Sequence, residues 1–548
     1  MSASAKKKLR KEQKAALLTE RQQKERAEAK KLKRNTILFV SIIAVVLVIA
    51  IVTMVTGFVT RSGIIEKNTV AANVDGKNLN TVEMNYYYYD AVTNTYNQWA
   101  NQFGDYMQFY MQMMGLDLTK SLNSQVYDAE TGETWADYFL NVALSNAQGD
   151  FALYNLAVEE GFTLSSEEQL NLDSSMDLLE LYSSAYNYPS VNDYLVSIYG
   201  YGADLDSYRE YKTRNAIANA YYSQKYNSMS YDDAQIQAYL DEHPEDFTSY
   251  TFNTYYVRVD DYLVKGKETY TDEEWAKARE AARKNSIALG IHHTTEDLDA
   301  AIAGLYVNKD KTDAKSTPYT NTLYTQLSEF YKDWLADPAR AAGDITCIPN
   351  ETTTTAEDGT ETTEISGYYS VLFHSRNDNN GPMSDVRHLL VQFEGGTTVD
   401  GETVYSEEEK AAALKEAEEL LAQWEAGEKT EDSFAALVKE KTDDTASAES
   451  GGLYTGVHAG SNYMEGFLNW AVDPERAVGD TGIVETPYGY HIMFCSRVYE
   501  ESYRDQMITN LLLTDDMNAW YTAAVEAVTA TLADTSRMNK DLVLAKAQ

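Results

Sequence analysis

Cysteine is scarce in this 548-residue chain, where only Cys347 and Cys495 occur. Two cysteines cannot form the framework of bridges that stabilises small secreted domains. The two also lie in different copies of an internal repeat, so we expect no disulfide between them. Because Cys347 is the first cysteine, a lipid-modified cysteine near the N-terminus is excluded as well. Both residues fit small apolar positions of strands.

Basic residues are scarce beyond position 34. Residues 1–34 contain thirteen Lys or Arg and four Glu, a net charge of +9, so the formal charge of −39 leaves about −48 for the remainder. Such an acidic surface argues against nucleic acid or anionic lipid as its partner. The basic segment could be a nucleic-acid-binding arm, but orientation of a membrane segment with lipid-headgroup contacts explains it more simply.

Charged residues are absent from 36–60, which is mostly Ile, Val, Leu and Ala. About 20 apolar residues suffice to cross a hydrocarbon core as a helix. A cleavable signal peptide is the alternative, but its apolar region is roughly 7–15 residues long and ends at small residues, unlike this flank. By the positive-inside rule the sequence predicts a basic cytoplasmic tail (1–34), a transmembrane helix (35–60) in the lipid bilayer of the cell membrane, and an extracytoplasmic remainder.

Apolar residues recur at spacings of three and four over residues 65–245, after a short strand and an Asp75-Gly76 turn. This pattern predicts five or six helices with few strands, one of them capped at Ser165. Tyr86–Tyr89 and the segment 106–114 are rich in Tyr and Met, which suits either helix core or an adaptable surface for unfolded chains. A helical tail is predicted over 501–548.

An internal repeat occupies the region between them. Residues 334–344 read WLADPARAAGD and residues 470–480 read WAVDPERAVGD, with seven of eleven positions identical. Each copy continues into a strand that ends in Ser-Arg. A period this long indicates a duplicated domain rather than a solenoid, so we predict one domain over 246–380 and another over 381–500. In the first copy a Thr-rich hairpin is expected around Asp358-Gly359.

The second copy contains six elements in a fixed order: the strand VRHLLVQF, two helices, the Gly451-Gly452 turn, the helix MEGFLNWAV, the Gly479-Asp480 step and the strand GYHI. In these elements it resembles the parvulin-type (PpiC/rotamase) peptidyl-prolyl cis/trans isomerases. The layout of the whole chain resembles SurA/PrsA-type extracytoplasmic foldases. The resemblance implies a multidomain α+β fold: an N-terminal transmembrane helix, a mainly α-helical SurA-like chaperone region, two parvulin-like domains with antiparallel sheets and surrounding helices, and a C-terminal helix.

The resemblance also implies site residues. His388 and His491 match the two active-site histidines, and Asp444 falls where the family carries Cys or Asp, with the adjacent Asp443 as the alternative. The prolyl pocket is implied to comprise Phe467, Tyr463, Met464, Tyr488 and Thr486. Tyr463 is a departure, because the family usually has Met there. No Lys/Arg cluster that would recognise a phosphorylated residue before proline is visible.

The first copy lacks both histidines. Thr254 falls at the position of His388, and Ser370, or Tyr369 if the alignment gap moves, falls at that of His491. We therefore expect the first copy to be a degenerate, inactive scaffold or peptide-binding surface.

Proline isomerisation breaks no bond, so neither a nucleophile nor a cofactor is expected. His292-His293 could suggest a metal, but no Cys/His partner stands at ligand spacing, so no metal site is predicted. The prediction is a membrane-anchored foldase that isomerises X–Pro bonds in unfolded or partly folded exported polypeptides. The alternative is a non-catalytic holdase or assembly scaffold that uses parvulin folds only to bind peptide.

Overall fold

The computed structural model describes residues 2–305, 314–355, 361–399 and 402–544. The chain divides into two compact units, the first comprising Met1–Met229 with Asp516–Gln548 and the second Ser230–Asp515. The N-terminal segment of the first unit ends at Met229, within the helical region predicted over 65–245.

The chain begins with a long helix, α1 (Ala3–Arg61), followed by a short one, α2 (Ile64–Asn68). Among the described residues, only the stretch Lys24–Arg61 is a helix long and apolar enough to cross a membrane. This agrees with the transmembrane helix predicted over 35–60 in length and composition.

The remainder of the first unit opens with a β-hairpin, β1 (Val70–Val74) and β2 (Lys77–Asn80). Asp75 and Gly76 form its turn with φ of 52° and 74°, a conformation that asparagine, aspartate and glycine tolerate best. A run of seven helices follows in the chain, the last of them in the second unit: α3 (Thr81–Phe103), α4 (Met107–Met113), α5 (Trp135–Glu159), α6 (Ser166–Ala185), α7 (Val191–Tyr199), α8 (Leu205–Ser228) and α9 (Asp233–Glu242).

Seven helices are one or two more than the sequence predicted. Gly104 has a φ of 49° and ends α3, after which the chain turns and begins the separate helix α4. The predicted N-cap is correct, since the Ser165 side chain accepts a hydrogen bond from the backbone of Glu168. The tyrosines at 86–88 are fully buried in the helical core, whereas Phe109 on α4 is exposed. The aromatic run is therefore core, and the Met-rich helix α4 is two-sided, with Met107 and Met111 buried and Phe109 and Met113 exposed.

The first repeat copy in the second unit is a four-stranded antiparallel sheet with helices. Its strands follow the spatial order β4-β3-β6-β5. Its elements are β3 (Ser249–Arg258), α10 (Asp272–Leu289), α11 (Thr295–Gly304), β4 (Thr317–Leu323), α12 (Lys332–Ala336), β5 (Ile345–Thr355) and β6 (Glu361–Asn377). Strands β5 and β6 form the expected Thr-rich hairpin, whose tip at Asp358-Gly359 lies outside the described residues.

The second copy repeats this arrangement with the strand order β10-β7-β12-β11. Its elements are β7 (Met383–Gln392), β8 (Thr397–Val399), β9 (Glu402–Val404), α13 (Glu407–Glu425), α14 (Glu431–Lys441), β10 (Leu453–His458), α15 (Glu465–Ala471), β11 (Thr481–Thr486) and β12 (Gly489–Val498). Because both sheets connect equivalent elements in the same order, the copies share one topology.

The repeated sequence frame has the same structural role in both copies. In the second copy the Arg476 guanidinium lies 4.0 Å from the Trp470 ring centroid and contacts Asp480. In the first copy Arg340 lies 4.9 Å from the Trp334 ring centroid. The shared residues therefore fix the turn that leads into the last two strands of each sheet.

The strand register identifies which first-copy residues replace the two histidines. In both copies the backbone of the Gly-Asp step pairs with the last strand, which gives a common reference point. Counted from this point, Thr254 stands at the position of His388, and Tyr369 stands at the position of His491. The first choice from sequence, Ser370, is wrong by one residue. One residue along a strand reverses the face, and Ser370 instead bonds to a serine of α10.

The C-terminal part contains α16 (Tyr503–Glu526) and a short strand, β13 (Ala530–Leu532). The tail is predicted as helical over 501–548, but among its described residues, which end at position 544, the α-helix extends only to Glu526. β13 pairs antiparallel with β1 and completes a three-stranded sheet in the first unit. This pairing overrides the helical pattern because an open hairpin edge offers unpaired backbone groups to a nearby chain.

Candidate active site

Two histidines lie against each other on the central strands of the second copy. His388 is in the middle of β7 and His491 near the start of β12, and their Nδ1 atoms are 3.0 Å apart. His491 pairs with Leu390, two positions from His388, so both imidazoles project from the same face of the sheet. His388 is 3% exposed and His491 is 7% exposed.

An acidic loop after α14 meets the outer side of His388. The Oδ2 atom of Asp444 is 3.1 Å from the Nε2 atom of His388. Ser447 donates a hydrogen bond to the same carboxylate and lies 3.2 Å from Nε2 of His388. The Tyr454 hydroxyl also donates to Asp444, over 3.3 Å. Sequence reasoning missed Ser447 and Tyr454; the only available signal for Tyr454 was its position two residues beyond the Gly-Gly turn.

The side chain of the neighbouring Asp443 fixes the loop and does not contact the histidines. Its Oδ2 atom accepts a hydrogen bond from the backbone N–H of Gln392 over 2.8 Å, and its own N–H donates to the Leu390 carbonyl. Asp443 thus ties the loop to the end of β7. Of the two acids considered from sequence, Asp444 is the one beside the histidines.

Thr486 meets the other end of the histidine pair. Its Oγ1 atom lies 2.9 Å from Nε2 of His491 and accepts the backbone N–H of Tyr488 over 3.3 Å. The threonine is buried at the end of β11. The tight turn from β11 to β12 brings it there, with Gly489 packed so closely on β7 that a Cβ would lie 2.1 Å from the Val391 carbonyl oxygen.

These contacts determine the tautomers of both histidines. The carboxylate of Asp444 can only accept, so Nε2 of His388 carries the proton that faces it. Nδ1 of His388 then accepts from Nδ1–H of His491, and Nε2 of His491 accepts from the Thr486 hydroxyl. All four ring nitrogens are engaged, and every hydrogen bond points toward the one charged group. Such a chain polarises its members in the same direction.

The electrostatics keep the histidines neutral. Burial lowers the pKa of His388, although Asp444 opposes the shift. Burial, reinforced by His388, lowers the pKa of His491 to about 4. Burial pushes the pKa of Asp444 upward, but hydrogen bonds led by that of Ser447 outweigh it and leave the pKa below its ordinary value. At neutral pH the site therefore contains two uncharged imidazoles and one carboxylate.

Aromatic rings form the floor beside the histidines. The ring of Phe467 is buried, with its centroid 5.4 Å from that of His388 and 5.6 Å from that of His491, both edge-on. The Tyr463 ring is 5.2 Å from Phe467 and 5.3 Å from Tyr454. Together these rings make an apolar surface next to a polar chain. Helix α15 and strand β10 hold them there.

Two of the predicted pocket residues lie farther out. Met464 is 38% exposed and Tyr488 is 54% exposed. Met464 lines, together with Thr486, a neighbouring cavity of about 730 Å³. The structure thus brings together His388, Asp444, His491, Phe467, Tyr463 and Thr486, and leaves Met464 and Tyr488 at the rim.

The described ranges contain no group of three His, Cys, Asp or Glu residues arranged to hold an ion. Of the adjacent histidines at 292 and 293, His293 has its Nδ1 atom 2.7 Å from the carbonyl oxygen of Gly343. It contacts the Gly-Asp step of the first copy, which is a structural position.

Comparison with known families agrees with this geometry. The family model "PPIC-type PPIASE domain" of the rotamases matches residues 388–497. This region is a parvulin-type domain. The match begins at His388 and includes the Asp444 loop, α15 and both histidine-bearing strands. No curated protein sequence matches the chain.

Several solved structures are similar to part of the chain. The PrsA peptidylprolyl isomerase of Bacillus anthracis is 18% identical over 27% of this chain and 59% of its own, with a TM-score of 0.17. PrsA of Bacillus subtilis is 25% identical over 26% and 48%, with a TM-score of 0.16. A SurA-like chaperone of Campylobacter jejuni is 19% identical over 27% and 53%, with a TM-score of 0.16. The chain thus spans about half the length of these relatives, and the parvulin-type domain is what the family match covers.

Proposed function

We propose that this chain is a membrane-anchored extracytoplasmic foldase. Its parvulin-type domain catalyses cis/trans isomerisation of X–Pro bonds in exported polypeptides, and its helical unit binds unfolded clients. The observation that carries the proposal is the neutral His388–His491 pair, enclosed between Asp444 and Thr486 and adjoining the ring of Phe467.

The chemistry of proline isomerisation fits this arrangement. The X–Pro bond must twist through a state that has lost amide resonance, with a barrier of about 18–20 kcal/mol. An apolar surface such as the rings of Phe467 and Tyr463 receives the pyrrolidine ring and excludes water. Fixed dipoles beside it favour the twisted amide over either planar ground state, because they require no reorganisation when the charge distribution changes.

The histidines act in this scheme by position rather than by proton transfer. Each ring nitrogen already has a partner, from Asp444 at one end to Thr486 at the other. A pKa of about 4 for His491 also makes it a poor base at neutral pH. The isomerisation needs no acid or base, so a polarised wall that transfers no proton is sufficient. Asp444 supplies the charge that orients this wall.

The anchor and its orientation are supported by the first helix. The stretch Lys24–Arg61 has the length and composition of a membrane span, and the preceding residues are strongly basic. Basic flanks remain on the cytoplasmic side. In this orientation both repeat copies lie outside the cytoplasm, where exported polypeptides emerge unfolded.

The decisive test is an isomerisation assay on the full-length chain in nanodiscs with a short proline-containing peptide. We expect His491→Ala and Phe467→Ala each to lower kcat/KM about tenfold or more, equivalent to about 1.4 kcal/mol of transition-state stabilisation. Tyr369→Ala is the matched control, because Tyr369 occupies the register position of His491 in the first copy. A wild-type rate equal to the uncatalysed rate would refute the proposal.

A binding-only function is the second candidate. It is favoured by the first copy, which keeps the fold and the Trp–Arg turn while Thr254 and Tyr369 replace both histidines. Suppression of client aggregation by wild-type protein that has no isomerase activity would establish this holdase function instead.

A further inference from the structure

A polar cleft lies within the helical unit, away from any residue assigned above. Its volume is about 570 Å³, and helices α3, α5, α8 and α16 line it. The lining is unusual for the interior of a helical bundle, where apolar side chains normally face each other. Here the facing side chains are amides, carboxylates and tyrosines.

Three helices contribute the same kind of pair to this cleft. Each pair consists of an acid or amide and a second acid or amide four residues later, which places both side chains on one helical face. The pairs are Asp90 and Asn94 on α3, Asn146 and Asp150 on α5, and Asn215 and Asn219 on α8. Burying three such stripes against each other without partners would be costly, so the helices leave an opening between them.

The inner members of the pairs bond to the protein. Asn215 donates a hydrogen bond to Asp150, and Tyr211 and Lys212 donate to Asp90. These contacts satisfy the acids and fix the floor of the cleft. Burial nevertheless raises the pKa of Asp150 to about 6, although hydrogen bonds with Tyr87 and Asn215 oppose the shift.

The outer members of the pairs are available to a ligand. The carboxamides of Asn94, Asn146 and Asn219 are exposed, and within the described ranges no hydrogen bond joins them to another residue. A carboxamide presents one acceptor and two donor hydrogens, which matches the C=O and N–H of a peptide group. Amides are thus suited to hold a polypeptide backbone whatever its side chains are.

The dimensions agree with an extended chain. Asn219 lies four positions after Asn215 on α8, a rise of about 6 Å along the helix axis. Two residues of extended polypeptide span about 6.6 Å, so an extended chain laid along α8 advances by about the spacing of these two positions, with the Asn219 amide facing a peptide group and Asn215 bound to Asp150 at the floor. Tyr222 and Tyr521, with ring centroids 6.2 Å apart, form an aromatic wall against which side chains can pack. The Tyr521 hydroxyl fits against Gly149, where a Cβ would lie only 2.4 Å away.

We propose that this cleft binds an extended segment of an unfolded polypeptide through its peptide groups, independently of proline. The inference rests on the proposed foldase function and identifies the site and chemistry by which the helical unit holds a client. Recognition of the backbone rather than of side chains lets one site accept many sequences.

The test uses the full-length chain in nanodiscs and a fluorescein-labelled peptide of Ala, Ser and Thr that contains no proline. Fluorescence anisotropy is expected to show Kd raised about tenfold or more by the double variant Asn146→Ala, Asn219→Ala. The matched control is Asn141→Ala, an exposed amide on α5 outside the cleft lining. The same peptide N-methylated at alternate residues is expected to bind the wild type about tenfold more weakly, because it lacks backbone donors.

Three outcomes would overturn the inference. Equal Kd values for the double variant and Asn141→Ala would show that the amides do not hold the peptide. Undiminished binding of the N-methylated peptide would exclude backbone recognition. Displacement of the peptide by maltopentaose at a comparable concentration would identify a saccharide cleft instead. A parallel assay measures how far the wild-type protein suppresses aggregation of an unfolded client. If the wild type suppresses aggregation but the cleft variants bind the peptide as tightly as the wild type does, only the cleft assignment fails and the proposed foldase function stands.

Discussion

Acidification is expected to destabilise the parvulin-type domain through His491. Burial and the adjacent His388 lower the pKa of His491 to about 4, against about 6.5 in an unfolded chain. Between these values the unfolded state binds more protons, so stability is fully present above pH 6.5 and declines as the pH falls toward 4. At about 1.4 kcal/mol per pKa unit, the penalty is about 2 kcal/mol at pH 5 and about 3 kcal/mol below pH 4. The lowered pKa of His388 acts in the same direction.

Two measurements check this prediction on the full-length chain. ¹³C NMR of histidine-labelled protein is expected to show His491 still neutral at pH 5. Urea unfolding of wild type and His491→Gln is expected to show the free-energy difference between them shrinking by about 2 kcal/mol from pH 7 to pH 5, because glutamine does not titrate. Titration of His491 near pH 6.5, or a pH-independent difference, would refute the burial argument.

Four substitutions make further predictions. Asp444→Asn should lower the isomerase kcat/KM about tenfold. Asp443→Asn should leave kcat/KM near the wild-type value, because an amide oxygen still accepts the backbone hydrogen bond. Equal effects of the two substitutions would contradict the assignment of Asp444 to the site. Phe434→Ala removes a fully buried ring and should lower the free energy of unfolding, measured in urea, by about 3–5 kcal/mol. A loss below about 1 kcal/mol would contradict this prediction. Gly489→Ala should lower Tm by several degrees, because its Cβ would collide with the Val391 carbonyl; an unchanged Tm would contradict this.

The duplicated architecture could be predicted because its signals are local. The shared Trp, Arg and Asp residues form one turn in each copy, as the contacts of Trp470 with Arg476 show. The two histidines could be placed together because the family resemblance assigns them to the first and last strands of one domain. What failed was a single-residue choice, Ser370 instead of Tyr369. The long β5–β6 hairpin shifts the alignment between the copies, and only the strand register resolves it.

Other features depend on pairing between distant segments. Ser447 is an unremarkable loop serine in sequence, and only the fold brings it to the Asp444 carboxylate. The strand Ala530–Leu532 is too short to carry a β pattern and forms because β1 offers it an edge. The polar stripes of the helical unit were likewise hidden, since four-residue spacing of amides is common on exposed helices.

The pairing of β13 with β1 has a consequence for biogenesis. The same closure joins the Tyr88 hydroxyl to the carbonyl of Lys540, 452 residues away in the sequence. Contacts at such separation form slowly, because a very long loop must close before they contribute. The helical unit therefore cannot be completed until the residues near 530 have been made, while both repeat copies, whose contacts are more local, can fold beforehand. The parvulin-type domain would be complete before the unit proposed to hold unfolded clients.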